Sequence, residues 1–145
     1  MTEQVQLACE ISSTNPTAAV GLEIWLDSTQ IYNTEHVADP VNFVHEFADT
    51  DGEHQLQFVM KNKTHDHTKI DEAGNILSDC RICINNLSFD EINLDQIFIE
   101  QAVYEHDFNG TANPVKDQFF GEMGCNGTVT LAFTTPVYLW LLESM

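Results

Sequence analysis

The residues best suited to chemistry in this chain are histidines and carboxylates gathered in polar stretches. His65-Asp66-His67 is followed closely by Lys69, Asp71 and Glu72. Imidazole suits zinc or copper. These two histidines, however, lie two apart between predicted strands, beside Thr64 and Thr68, a setting that favours local hydrogen bonds in a solvated loop. Calcium fits the residue types better, because it takes six to eight hard oxygen ligands from carboxylates, amides and carbonyls. Three stretches offer them: Asp49-Thr50-Asp51-Gly52-Glu53, the run from Asp66 to Asp79 with Asp71, and Asp107-Phe108-Asn109-Gly110. None has the spacing of a helix-flanked calcium loop, since Gly52 comes too early after Asp49. Asp49, Asp51, Asp66, Asp71, Asp107 and Asn109 are therefore calcium candidates only if folding brings the loops together. Otherwise they are turn residues and solvated charge.

Other reactive patterns are weaker. There is no G-x-S-x-G elbow, no phosphate-binding glycine loop with lysine and no H-E-x-x-H. Paired carboxylates would suit glycoside hydrolysis, but with 23 acidic residues such a pair carries no specificity, and a non-enzymatic protein is expected. Cys80 and Cys83 are spaced as C-x-x-C within an apolar run. On a strand, residues three apart face opposite ways, so free, mostly buried thiols are expected for the four cysteines. Trp25 and Trp140 are the two indoles. Trp25 falls on the face opposite Leu22, Ile24 and Leu26, where its ring is a platform for a sugar or a partner unless a loop covers it. Trp140, in VYLWLL, suits a core or a subunit contact.

The elements that position these residues are short strands. Val5, Leu7, Cys9 and Ile11 alternate with polar residues, as do Leu22, Ile24 and Leu26, then Leu56, Phe58 and Met60. Cys80, Ile82 and Ile84 repeat the pattern, as do Val129, Leu131 and Phe133. Phe43 to Phe47 is predicted to pair with His54 to Lys61 through a tight turn at Asp49–Gly52. The run from Leu87 to Glu105 fits strands better than one amphipathic helix. Asp107 to Asn126 reads as a long ordered excursion holding Phe119 and Phe120. Val137 to Leu142, apolar on both faces, is predicted to be a fully covered strand or part of an interface. Together these predict one all-β domain over residues 1–145, an antiparallel β-sandwich or jelly roll of about eight strands, with a long ordered loop before the last two.

A net charge of −18 with only five basic residues argues against nucleic acid and against anionic membranes as partners. No basic, apolar leader is visible at the start, and no window of ~18 apolar residues is long enough to span a bilayer.

The segments DGEHQLQFVMKNKTHDHTKIDEAGNILSDCRICINNLSFDEINL, YEHDFNGT and GCNGTVTLAFTTPVYLWLLESM resemble a small β-sandwich protein type encoded by marine cyanobacterial tailed phages. That similarity spans roughly Leu22 to Met145. More distantly, about Leu22 to Leu94 resembles calcium-dependent xylan-binding carbohydrate modules. The first resemblance implies a virion component assembled in the host cytoplasm, a capsid decoration or a tail or fibre accessory. Its partners would be capsid or tail subunits or further copies of itself. The second implies a calcium-dependent module that attaches to polysaccharide on a host surface, through sugar hydroxyls held by a loop-bound calcium ion.

Overall fold

Alternating burial decides which side of each strand faces inward. The computed structural model describes residues 4–15, 17–63, 69–106 and 113–144. Among them the chain runs β1 (Gln4–Ser13), β2 (Gly21–Leu26), β3 (Thr29–Thr34), β4 (Val41–Ala48), β5 (Gly52–Lys61), β6 (Lys69–Ile70), β7 (Ile76–Ser78), β8 (Ile82–Phe89) and β9 (Ile92–Asn93). Helix α1 (Asp95–Gln101), β10 (Val103–His106), β11 (Val115–Gln118), β12 (Glu122–Met123), β13 (Gly127–Thr135) and helix α2 (Val137–Ser144) follow. All pairings are antiparallel. One sheet has the order β12-β8-β1-β4, with β9 folded back on β8. The larger runs β11-β10-β13-β5-β2-β3, and β6 and β7 form a separate hairpin. The all-β sandwich is as predicted, with more and shorter strands.

The inner faces meet in one contiguous cluster that includes Leu7, Ile11, Ile24, Phe58, Phe89 and Phe133. Phe89 from the smaller sheet lies 5.0 Å, ring centre to ring centre, from Phe133 of the larger. Phe47 touches both at 5.6 Å. Such tilted aromatic contacts add to the burial term, which is worth roughly 25 cal/mol for each Å² of apolar surface.

Three predicted elements are corrected. Phe43–Phe47 and His54–Lys61 do not form a hairpin: β4 pairs with β1, whereas β5 pairs with β2 and β13. The Asp49–Asp51 connection therefore crosses between sheets. Positive φ angles occur instead at Asp27–Ser28 and Asp90–Glu91, the two-residue turns of the β2–β3 and β8–β9 hairpins. Second, the run from Leu87 to Glu105 holds α1, with Ile97 and Phe98 buried, between short strands. Third, Val137–Leu142 is helical. A short apolar run does not reveal its period, and Pro136 before it lacks a ladder donor but suits a helix start. The Asp49 carboxylate accepts the Val137 N–H at 3.0 Å and so caps α2 from the inter-sheet connection. The described part of the expected excursion, from residue 113 on, holds two strands, β11 and β12, one in each sheet, with Phe119 fully buried and Phe120 exposed.

One irregularity explains a shift in the apolar pattern. Between Ala8 and Glu10 the β1–β8 register slips by one, so two β8 residues oppose one of β1, with Asn86 at φ 52°. This bulge lets both Ile84 and Leu87 face inward. It leaves the Asn86 and Leu87 N–H groups without ladder partners, and the Asp95 carboxylate accepts both, at 3.1 and 2.9 Å. Asp95→Ala is expected to cost about 1–3 kcal/mol, the penalty for stranding such donors. Urea unfolding of the variant measures it, and a loss below about 0.5 kcal/mol would show the bulge to be self-sufficient.

Candidate functional site

The outward residues of the larger sheet form a partly exposed face. Register places Trp25 of β2 opposite Gln57 of β5, Gln57 opposite Thr130 of β13, and Thr130 opposite Val103 of β10. Since paired residues share a face, these four side chains form one row across four strands. A second row runs through Glu23, Val59, Thr128, Glu105 and Lys116. A groove of about 780 Å³ lies over β5, β13, β10 and β11, with Gln57, Thr130, Val103 and Lys116 among its walls. Gly127 lets β10 approach β13 at its margin: a methyl group there would meet the Glu105 carbonyl oxygen at 2.4 Å.

Trp25 stands one strand beyond that groove. Ile24 and Leu26 beside it are buried, so the indole points outward, as alternation predicts, and is half-buried. The register of β2 against β3 slips between Ile24 and Trp25, where β3 carries one extra residue; such bulges re-aim neighbouring side chains. The Trp25 Nε1–H donates to Glu23 Oε1 at 2.8 Å, and Gln30 Nε2 donates to the same oxygen at 2.9 Å. Lys61 Nζ lies 3.1 Å from Glu23 Oε2. The half-buried indole is thus fixed by its polar tip on the outer side of the sheet.

The hydrogen bond from Lys61, then that from Trp25, hold the Glu23 carboxyl below its ordinary value of 4.5. A depressed carboxyl stabilises the folded arrangement fully above its unfolded value, and that contribution is lost as pH falls through the folded one. The anchoring of Trp25 is therefore expected to be unchanged from neutral pH down to about 4.5 and to loosen in stronger acid. Trp25 fluorescence followed in a Trp140→Phe background reads this directly. A change centred near neutral pH would contradict it.

A second cleft, of about 800 Å³, lies beside the β2–β3 turn and is lined by Asp27, Glu53, His54, Phe133 and Trp140, among others. His54 Nδ1 meets the Asp27 carboxylate, and His54 Nε2 lies 3.0 Å from Thr135 Oγ1. Carboxylate, imidazole and hydroxyl in that order are the parts of a nucleophile relay. Thr135 is only 6% exposed, however, and its hydroxyl donates to the Thr50 carbonyl. The array fastens the β2–β3 turn, β5 and the end of β13 together, with no open approach to the hydroxyl.

The predicted site residues fall in different places. Trp140 is a core residue, 6% exposed, packed 5.9 Å from both Phe89 and Phe133; it offers no stacking face. Asp49 caps α2. Asp51 is exposed on the connection between the sheets. Asp71 closes its own turn, accepting the Ala73 and Asn75 N–H groups at 2.9 Å and the Asn75 side chain at 3.1 Å. Asp66, Asp107 and Asn109, with His65 and His67, lie outside the described residues. Among the described residues, no group of three or more His, Cys, Asp or Glu side chains is placed to hold a metal ion. The described calcium candidates therefore do not converge, and two of them already serve the backbone. All four cysteines are free thiols, two buried and two partly so, and burial pushes the Cys9 thiol up to about 12. No helix among the described residues is long and apolar enough to cross a membrane.

Gln57, Thr130, Val103 and Glu23 were not singled out from the sequence. Their signal is the polar phase of each alternating strand, which marks an outer face but not which strands lie side by side.

No family profile matches the chain, and no curated protein matches it. Among solved structures it is similar to one described as "vCBM60 in complex with galactobiose", a carbohydrate-binding module, at 9% identity and a TM-score of 0.48, covering 88% of this chain and 96% of that one.

Proposed function

We propose that this chain is a non-catalytic carbohydrate-binding domain that takes polysaccharide on the outer face of its six-stranded sheet. The observation that carries this reading is the row Trp25–Gln57–Thr130–Val103, an aromatic plate continued by an amide and a hydroxyl. Sugar rings present apolar C–H faces and a rim of hydroxyls. An indole held by its N–H, with amides and hydroxyls in register beside it, offers a partner for each. Concave sites with a few placed polar groups are where ligands generally bind.

Affinity electrophoresis in gels containing hydroxyethylcellulose, xylan, mannan or galactan tests the proposal. Retarded migration in at least one gel is expected, and unchanged migration in all of them would overturn it.

A second reading is favoured by a separate feature. In α2, Val137, Trp140 and Leu141 are buried, yet Tyr138, Leu139 and Leu142 are 63%, 58% and 73% exposed. A helix apolar on every side is normally covered on every side. On this reading the chain is a structural component of a viral particle, a capsid decoration or tail accessory, and α2 lies against a neighbouring subunit. Quantifying the chain in purified particles tests it, and absence from them would remove it. The two readings use different faces and are compatible.

A further inference from the structure

Resting on the carbohydrate-binding reading, we infer that the ligand is a linear, uncharged polysaccharide lying across the strands of the larger sheet. Direction follows from register. Trp25, Gln57, Thr130 and Val103 are cross-strand partners, so a chain touching all four runs perpendicular to β5 and β13. A chain lying along β13 would instead pass from Thr128 over Thr130 and Ala132 to Thr134 and never reach the indole. The groove has the same bias, since its walls come from β5, β13, β10 and β11 side by side.

Length follows from strand spacing. Six strands make five steps of ~4.8 Å, about 24 Å from β3 to β11. A pyranose ring in a linear chain is close to one such step long, so the face accommodates about five rings. One strand beyond each end of the row lie the edge strands β3 and β11, so among the described residues no further strand of the sheet blocks a chain that continues past them. The interior of a long polymer fits this geometry.

Charge decides the ligand class. Each acid in the second row has a base at hand: Glu23 lies 3.1 Å from Lys61, and Glu105 is the cross-strand partner of Lys116. Within the two rows no acid stands without a nearby base, although Lys61 is shared with Glu35 at 2.9 Å and Glu53 lies on the same face as the partner of Thr134, and the whole chain carries −18. A polyanion is repelled on approach, and a polycation finds no unopposed acid in the rows. Amides and hydroxyls that both donate and accept suit the hydroxyls of a neutral chain.

The test uses calorimetric titration of the whole chain with cello-, xylo-, manno- and galacto-oligosaccharides of two to eight rings. For the series that binds, affinity is expected to rise at least tenfold between two and five rings and then to level off. The carboxymethylated form of the same polysaccharide is expected to bind at least tenfold more weakly at low salt. Two blocking variants separate the directions: Val103→Arg lies on the cross-strand row, and Thr134→Arg lies off it along β13. Both positions are exposed, and a melting curve for each variant confirms folding. Val103→Arg is expected to weaken the five-ring ligand at least tenfold, and Thr134→Arg by less than twofold. The reverse pattern, a flat length series, or preference for the carboxymethylated polymer would each overturn the inference while leaving carbohydrate binding intact. Failure of every oligosaccharide and polysaccharide to bind would remove the underlying reading instead.

Discussion

Trp25→Ala is expected to weaken binding to the polysaccharide that retards the wild-type chain by about 30-fold, roughly 2 kcal/mol. Large aromatic anchors dominate binding energies because they combine wide contact area with few rotatable bonds. Here the rotamer is further fixed by the hydrogen bond to Glu23. Trp25→Tyr keeps an aromatic plate but loses that bond, so an intermediate loss is expected. Because Trp25 projects from the sheet and its strand neighbours Ile24 and Leu26 carry the burial, the folded state should survive both changes, which circular dichroism checks. An affinity within threefold of wild type for Trp25→Ala would remove the sheet face as the binding surface.

The second large effect concerns folding. Lys63 is 5% exposed, and its Nζ lies 2.7 Å from Asp79 Oδ1 and 2.5 Å from the Gly124 carbonyl oxygen. Its backbone is held as well: the Lys63 N–H donates to Asn126 Oδ1 at 2.9 Å, and Asn126 Nδ2 donates to the Lys63 carbonyl at 2.8 Å. Three segments distant in sequence, around residues 63, 79 and 125, are thus joined at one ammonium group. Lys63→Ala removes that group and leaves the largely buried Asp79 carboxylate without its main counter-charge. Breaking such a pair from one side costs about 3–5 kcal/mol. For a chain of this size the midpoint of thermal unfolding should fall by roughly 10 °C or more. Replacing both partners, as in Lys63→Met with Asp79→Leu, should recover part of the loss, because the desolvation cost of the pair disappears with it. A single variant within 1 kcal/mol of wild type in urea unfolding would show that the site is hydrated.

Alternation in the sequence is a reliable guide wherever one strand face is dry. Val5, Leu7, Cys9 and Ile11 are all buried, as are Leu56, Phe58 and Met60 and Val129, Leu131 and Phe133. What alternation does not carry is partnership. Phe43–Phe47 and His54–Lys61 are neighbours in sequence and both alternate, so a hairpin is the economical guess. The structure sends them to opposite sheets because β5 finds β13 and β2 as partners. Similarly, VYLWLL has no period to read, and its helical state depends on Pro136 and on an Asp49 cap supplied from 88 residues away. The site was half legible for the same reason. Trp25 could be placed on an outer face from its own strand alone. Gln57, Thr130 and Val103 acquire meaning only once β5, β13 and β10 are known to be adjacent. Carboxylates misled in the other direction: Asp49 and Asp71 have the chemistry of metal ligands, yet each satisfies backbone N–H groups that would otherwise lack partners.

The interleaving of the larger sheet has a kinetic consequence. Its central strand, β13, follows every other strand in the chain, yet it sits between β5 and β10 and joins residues as far apart as Gly52 and Thr135, 83 positions. The smaller sheet likewise pairs β1 with β4 and β8. Such long-range closure places folding in the slow regime of β-rich domains, milliseconds to seconds. During synthesis, β5 emerges with one edge satisfied by β2 and the other open until β13 arrives. In that interval the open edge, with Leu56, Phe58 and Met60 still uncovered, is a template for pairing with another nascent chain. The dense negative charge then acts as protection, because it keeps incomplete chains apart long enough for the last strand to slot in.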